Sequence, residues 1–158
     1  LKSNSPTDVY YYGFDLFELM DQKTFEYELS KWPPRMGVVE GLIKQHGINC
    51  ELIRGNTNET LPKFVARFDK KADLIYIDGG HSIDTIRSDW ENLSTIISEK
   101  TVVIFDDYYV MKDGSVPEKG CSSIIESLDS SKWSVQILPN FDEFDDKSIY
   151  FVEVRRAN

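Results

Sequence analysis

Two short apolar runs dominate the hydrophobic pattern of the chain, and each ends in aspartate. Residues 74–77 read LIYI before Asp78, and residues 102–105 read VVIF before the aspartate pair at 106–107. A run that is apolar at every position is typical of a strand buried on both faces of a parallel sheet. Between the runs, apolar residues recur at helical spacing over 82–100, and the first residue of this range, Ser82, can cap the helix. The pattern predicts a strand–helix–strand crossover, with a ligand site beyond the carboxyl ends of its strands.

The flanking sequence extends this unit into an alternation of strands and helices. Aromatic and β-branched residues favour strands, and apolar residues three and four apart favour helices. The predicted strands are 9–17, 50–54, 74–77, 102–105, 133–138 and 148–155, and the predicted helices are 34–46, 59–68, 82–100 and 121–128. The connection between the last two strands is too short for a crossover helix, so they form an antiparallel hairpin. The predicted fold class is α/β, a mostly parallel sheet finished by that hairpin.

Residues 18–34 interrupt the alternation. They mix aromatic residues with charges and close with Pro33 and Pro34. We expect a loop with a short helix here, placed as a lid over the site. Residues 1–8 are polar, and we expect them to form a loop or a frayed end.

Length and charge narrow the class of protein. A chain of 158 residues is enough for one domain with a single core. Eighteen basic and 27 acidic residues give a net charge of −9, which disfavours nucleic acid and anionic membrane surfaces as partners. Cys50 and Cys121 match no metal-binding spacing and are typical of reduced thiols in a cytoplasmic protein. No apolar run approaches membrane-spanning length.

Three carboxylates are expected at the carboxyl ends of the two central strands, namely Asp78, Asp106 and Asp107. Their charges repel one another unless a cation lies between them, and a magnesium ion with oxygen ligands meets that requirement. A single aspartate at such a position more often ends a strand or caps a helix. Because three of them fall on neighbouring strands, we interpret the group as a metal site.

His81 follows Asp78 through two glycines, which allow the backbone to turn tightly and to approach a ligand. A histidine at this place can take a proton from a substrate hydroxyl. The alternative is a loop or helix-capping histidine with no part in the chemistry. We favour the catalytic interpretation.

Two positions in the first third of the chain fit a nucleotide. Asp15 ends the first predicted strand, where an acidic residue commonly accepts hydrogen bonds from a ribose. Asn56 and Thr57 end the next strand, in a position to face an adenine. Neither position identifies a nucleotide by itself. A further acidic run at 142–146 is interpreted as a solvated hairpin tip.

Four motifs together resemble the class I S-adenosylmethionine-dependent methyltransferases. They are GFDLFE at 13–18, GNTNETLP at 55–62, IDGGHSIDTIRSDW at 77–90 and VIFDDYY at 103–109. Within that class they are similar to magnesium-dependent sugar O-methyltransferases and to small methyltransferases with a DGGH motif. Catechol-type O-methyltransferases share the acidic metal site. The resemblance covers roughly residues 9–155, and the DGGH and FDDY pair is its most specific part.

The resemblance implies S-adenosylmethionine as the cofactor and a role for each matching residue. The matching positions are Asp15 for the ribose, Asn56 and Thr57 for the adenine side, Asp78 for the cofactor, and Asp78, Asp106 and Asp107 for magnesium. His81 is the implied base, with Asp78 as an alternative. The implied reaction is O-methyl transfer to a hydroxyl of a small molecule, either a sugar or a phenol. Magnesium lowers the pKa of the hydroxyl, the base removes its proton, and the oxygen attacks the sulfonium methyl in line.

One feature of that family is absent from the sequence. Its first strand carries a glycine-rich loop under the methionine part of the cofactor, and no segment here matches it. That strand would lie between the strands predicted at 9–17 and 74–77, so two strand edges are expected to lack partners. We expect a single, N-terminally incomplete methyltransferase-like domain over 1–158. Pairing with another chain, as in a homo-oligomer, would cover the open edges.

Two alternative functions are considered, and the sequence argues against the second. The chain can be a catalytically inactive form of the same fold that serves as a binding or assembly module, which the absent glycine-rich loop favours. It can also be a phosphoacceptor receiver domain, a class that places aspartates around magnesium at strand ends. That class needs its acidic pair on the first strand and a lysine after a later strand. Here the pair comes late, in FDDYY, and no lysine ends a later predicted strand.

Overall fold

A computed structural model of the chain describes residues 8–28 and 31–157. The helices and strands are, in chain order, β1 (Tyr10–Asp15), α1 (Gln22–Glu28), α2 (Met36–Gln45), β2 (Asn49–Arg54), α3 (Thr57–Arg67), β3 (Leu74–Ile77), α4 (Ile83–Leu93), β4 (Val102–Met111), α5 (Ser122–Glu126), β5 (Trp133–Glu143) and β6 (Lys147–Arg156). The predicted α/β class is confirmed. The chain divides into two compact units, Leu1–Thr60 and Leu61–Asn158. Among the described helices, none is long and apolar enough to cross a membrane.

The first unit is built on a parallel pair of strands. β1 and β2 pair in register from Tyr10 opposite Asn49 to Asp15 opposite Arg54. α2 leads into β2 and ends at Gln45. Gly47, two residues later, has a φ of 72° that suits a glycine after a helix, and its N–H donates to the Lys44 carbonyl at 2.9 Å. The parallel pairing therefore brings the residues that follow both strands to the same edge.

The short helix expected within 18–34 is present as α1, preceded by a 3₁₀ turn at Phe17–Leu19. Positions 29–30 of this segment lie outside the described residues, as do positions 1–7 of the expected N-terminal loop. The placement of this segment as a lid stays a prediction.

The second unit holds a four-stranded sheet in the order β3-β4-β6-β5. β3 and β4 are parallel, and the other two pairings are antiparallel, which confirms the predicted C-terminal hairpin. The two strands of the hairpin, β5 and β6, are longer than predicted. Pairing resumes after a register shift and runs to Glu143 opposite Ser148, with the Phe141 and Tyr150 rings stacked 4.9 Å apart. Consequently only residues 144–146 form the hairpin tip.

The core of the second unit lies between one face of this sheet and α4. Four fully buried side chains alternate along the two central strands, namely Val103, Phe105, Val152 and Val154. Trp90 of α4 covers them, with its ring centre 5.4 Å from that of Phe105 and 4.8 Å from that of Trp133. Ser82 caps α4 by accepting the Thr85 N–H at 3.3 Å, as predicted. The rigid contact of α4 with the sheet fixes the loop that joins β3 to α4.

Strand β4 differs from its prediction because it does not end at the aspartate pair. It continues to Met111, since β6 pairs with it on both sides of a bulge between Phe105 and Tyr108. The bulge contains Asp106 and Asp107, and Asp107 takes a φ of 62°. The two aspartates therefore lie at a bend within a strand, just beyond the last residue of β4 that pairs with β3.

Each sheet in the described part of the chain has two edge strands, β1 and β2 in the first and β3 and β5 in the second, and the open edges expected from the sequence are those of β1 and β3. β1 pairs with β2 alone, and β3 pairs with β4 alone. Large apolar side chains on these strands are exposed, including Tyr10 at 54%, Leu74 at 65% and Tyr76 at 52%. The two expected open edges are thus present, whereas their pairing with another chain stays a prediction.

Candidate functional site

The loop after β3 and the bulge in β4 meet through a contact between an imidazole and a carboxylate. Nε2 of His81 lies 3.1 Å from Oδ2 of Asp107, and the two side chains are 25% and 13% exposed. His81 ends the DGGH loop, and Asp107 is the second aspartate of the FDDY motif. The structure therefore joins the two motifs that carry the sequence resemblance. An imidazole oriented by a partly buried carboxylate is an arrangement that can accept and hold a proton.

Residues 120–122 hold this pair together from one side. The Gly120 N–H donates to the His81 carbonyl at 2.8 Å, and the Cys121 N–H donates to the Asp107 carbonyl at 2.9 Å. Ser122 Oγ accepts the Tyr109 N–H and donates to the Tyr109 carbonyl, both at 2.9 Å. This short segment thus fastens the backbone of the loop to the backbone of the bulge.

Gly120 makes this close approach possible. Its φ is 82°, and a Cβ at this position would lie 2.3 Å from the carbonyl oxygen of Asp107. A side chain at this position would displace the bulge, and a residue other than glycine would be strained at this left-handed backbone angle. Gly120 and Ser122 are not recognisable from the sequence pattern, because their importance depends on contacts with residues far away in the chain.

Two tyrosines donate hydrogen bonds to the aspartates of the bulge. Tyr76 Oη lies 2.9 Å from Oδ2 of Asp106, and Tyr109 Oη lies 3.1 Å from Oδ1 of Asp107. Burial, together with the neighbouring carboxylates, raises the pKa of both phenols, so they remain protonated donors at neutral pH. The backbone N–H of Asp107 supplies a third donor, to Oδ1 of Asp106 at 2.8 Å. These donors offset part of the repulsion between the acidic groups.

That repulsion also acts on Asp78. Partial desolvation of its carboxyl, followed by the charges of Asp106 and Asp107, raises the pKa of Asp78 from 3.8 to about 6. Because the pKa is higher in the folded state, the contribution of Asp78 to stability is complete below about pH 3.8 and is lost as the pH rises through about 6. The charges of Asp106 and Asp107 thus oppose ionisation of Asp78, as expected from the sequence.

The predicted magnesium ligands do not form a ligand set as placed. Within residues 8–28 and 31–157, no three histidine, cysteine, aspartate or glutamate side chains converge on a common point. Both oxygens of Asp106 already accept hydrogen bonds, and both oxygens of Asp107 face His81 or Tyr109. The residues present do not fit a metal ion in this arrangement, and magnesium at Asp78, Asp106 and Asp107 stays a prediction.

The residues expected to bind the nucleotide lie at adjacent strand ends in the first unit. The Gly55 N–H donates to the Asp15 carbonyl at 2.9 Å, which places Asp15 beside the start of α3. Both predicted side chains also have local partners. Oδ1 of Asp15 accepts the Phe17 N–H at 2.8 Å, and Oδ1 of Asn56 accepts the Asn58 N–H at 2.9 Å, in the manner of a helix cap. Thr57 is the first residue of α3, and the nucleotide roles stay predictions.

Comparisons with known proteins agree with this architecture. A family model described as a methyltransferase domain matches residues 1–108, and the chain therefore belongs to this methyltransferase family. The fold is similar to that of a candidate rRNA methylase from Clostridium thermocellum, with a TM-score of 0.58, 13% identity, and coverage of 92% of this chain and 74% of that chain. It is also similar to an rRNA methylase from Streptococcus thermophilus, with a TM-score of 0.57, 14% identity, and coverage of 93% and 75%. A search of curated proteins found no match.

Family and fold together confirm the resemblance to class I S-adenosylmethionine-dependent methyltransferases. Membership implies S-adenosylmethionine as the methyl donor. At identities of 13% and 14%, the two solved structures show the shared fold alone.

Removing one charge from the bulge should lower the pKa of Asp78. We expect Asp106→Asn to shift that pKa from about 6 back toward 3.8, because of the two neighbouring charges that of Asp106 raises the Asp78 pKa more. The measurement is a pH titration of the Asp78 carboxyl carbon by NMR. The control is Asp69→Asn, which removes an exposed charge elsewhere. An unchanged Asp78 titration in Asp106→Asn would show that the two side chains are not close.

Adding a methyl group at Gly120 should disrupt the contact between loop and bulge. We expect Gly120→Ala to lower the free energy of unfolding by about 1–3 kcal/mol and to shift the amide resonances of His81 and Asp107. Gly114→Ala is the matched control, because Gly114 has a similar φ of 75° but has no atom within 4 Å of the added Cβ. Equal losses in the two variants would assign the effect to backbone strain alone and contradict the proposed role of Gly120.

Proposed function

We propose that this domain catalyses S-adenosylmethionine-dependent methyl transfer to a hydroxyl group of a small molecule, either a sugar or a phenol. The observation that supports this most directly is the contact of the His81 imidazole with the Asp107 carboxylate. O-methyl transfer requires a group that removes the hydroxyl proton as the oxygen attacks. The pair lies beyond the last paired residues of two parallel strands, where α/β folds bind their ligands.

His81 is the proposed base, and Asp107 orients it. In the neutral tautomer that donates from Nε2 to Oδ2 of Asp107, the lone pair lies on Nδ1, and we propose that Nδ1 accepts the proton of the hydroxyl. The carboxylate then stabilises the imidazolium that forms. Tyr109 donates to the other oxygen of Asp107 and keeps the carboxylate in place. Asp78, with its pKa near 6, is mostly ionised at neutral pH and is the alternative base.

S-adenosylmethionine, when bound, supplies a sulfonium methyl carbon as the electrophile. We propose that Asp15 binds its ribose and that Asn56 and Thr57 contact its adenine side, because these residues lie at adjacent carboxyl ends of β1 and β2. In the transfer, the oxygen–carbon bond forms as the carbon–sulfur bond breaks. The hydroxyl proton passes to His81 and from there to solvent.

The charge of the chain favours a small acceptor over RNA. Both structural neighbours are named as rRNA methylases, so ribosomal RNA is the natural competing substrate class. A net charge of −9 opposes binding to a phosphate backbone, which needs basic side chains to displace counterions. Ribosomal RNA is therefore included in the assay as a second acceptor, and methylation of RNA alone would contradict the proposed substrate class.

Replacing the proposed base should slow transfer without preventing folding. We expect His81→Gln to reduce kcat by roughly 10²–10⁴-fold, the usual contribution of a positioned general base. The measurement is transfer of a radiolabelled methyl group from S-adenosylmethionine to a panel of sugars and phenols. His46→Gln, at the exposed end of α2, is the control and should leave the rate unchanged.

Two outcomes of this assay would overturn the proposal. Undiminished transfer in His81→Gln would remove His81 from the mechanism and direct attention to Asp78. A folded wild-type chain that binds no S-adenosylmethionine in calorimetric titration would support the inactive binding or assembly module instead.

Assistance by magnesium is kept apart from this proposal, because the three aspartates do not form a ligand set as placed. In the described arrangement, a cation at the three aspartates has to compete with the Tyr76 hydroxyl for Oδ2 of Asp106. We therefore expect Tyr76→Phe to bind Mn²⁺, a paramagnetic substitute for magnesium, more tightly than the wild-type chain does. The exposed Tyr27 supplies a control, Tyr27→Phe, that should not alter the affinity. If Mn²⁺ broadens no NMR signals of residues 78, 106 and 107 in either protein, the magnesium prediction is wrong.

A further inference from the structure

A carboxylate is buried in the helix that follows the DGGH loop. Asp89 lies in α4 between Ile86 and Trp90, which are both buried, and Asp89 itself is only 4% exposed. Charged side chains are rarely buried to this extent unless polar groups surround the charge. Because neither the core packing of α4 nor the proposed proton transfer requires an acid here, its position calls for a specific role.

The carboxylate of Asp89 faces the DGGH loop. Its Oδ2 lies 3.6 Å from the place that a Cβ on Gly79 would occupy. Gly80, the next residue, is buried. Because glycine carries no side chain to shield its backbone, the N–H groups of this loop are accessible to a neighbouring acceptor. A carboxylate is the strongest acceptor that a protein offers to backbone N–H groups.

We propose that Asp89 is a positioning residue whose Oδ2 accepts hydrogen bonds from the backbone N–H groups of residues 79–81 and so holds the DGGH loop in one conformation. Two successive glycines give this loop more backbone freedom than any other pair of residues would. Asp89 restricts that freedom from the α4 side, whereas Gly120 restrains the His81 carbonyl from the other side. His81 then stays on Asp107 before a substrate arrives, which lowers the entropy lost on reaching the reactive geometry.

Hydrogen exchange in the whole chain tests this role directly. Asp89→Asn retains the side-chain volume and removes the charge. We expect it to raise the exchange rates of the amides of residues 79–81 by about tenfold or more, as for the loss of a hydrogen bond to a charged group. Exchange in β4 and β6 should stay unchanged. Glu91→Gln, which removes an exposed charge from the same helix, is the control and should match the wild type.

Two results of the exchange experiment would overturn the inference. A uniform increase across α4 and β4 would show that Asp89 stabilises the core instead of the loop. Wild-type rates at residues 79–81 in Asp89→Asn would show that the loop does not depend on the acid.

A measurement on the wild-type chain covers the case in which Asp89→Asn fails to fold. Scalar coupling through a hydrogen bond, between an amide nitrogen of residues 79–81 and the side-chain carboxyl carbon of Asp89, is the expected result. The absence of any such coupling would overturn the inference without a variant.

The catalytic consequence rests on the proposed function. With an acceptor found in the transfer assay, Asp89→Asn should lower kcat by about tenfold and leave the KM for S-adenosylmethionine unchanged, because only the placement of the base is altered. A wild-type chain without transferase activity would end the proposed function. The exchange and coupling results would still decide whether Asp89 holds the loop.

Discussion

The arrangement of the candidate site depends on the bulge in β4. At this bulge the strand leaves β3 but stays paired with β6, and Asp107 adopts a left-handed backbone angle that non-glycine residues seldom take. The Cys121 N–H and the close approach of Gly120 hold the Asp107 carbonyl in that conformation. Strain of this kind persists only where neighbouring contacts maintain it, and it is concentrated at functional sites.

Electrostatics give the bulge its chemical character. Three acidic side chains come close enough for Asp106 and Asp107 to raise the pKa of Asp78. Two phenols and one imidazole face the two aspartates of the bulge, each placed by a different part of the fold. The hydrogen bonds donated by the tyrosines offset part of the repulsion between the carboxylates, and His81 contacts one of these carboxylates, that of Asp107. That combination supports proton removal from a hydroxyl in a protein of the methyltransferase family.

The open edges of β1 and β3 are a second physical constraint, separate from the site. Each leaves backbone N–H and C=O groups without a strand partner within the described residues, and apolar side chains such as Leu74 are exposed beside them. Exposed apolar edges favour the addition of another strand.

The sequence by itself determined the elements and the family. The apolar runs of β3 and β4, the helical spacing of α4 and the DGGH and FDDY motifs depend on neighbours in the chain, so short-range patterns were enough to predict them. The tertiary structure alone decided how far β4 continues, which oxygen of Asp107 meets His81, and why Gly120, Tyr76 and Asp89 matter. Apart from the local contacts of Asp107 with Asp106 and Tyr109, the decisive contacts join residues 10–39 positions apart. Such pairings arise only when the packed sheet selects a register and a bulge that local preferences do not specify.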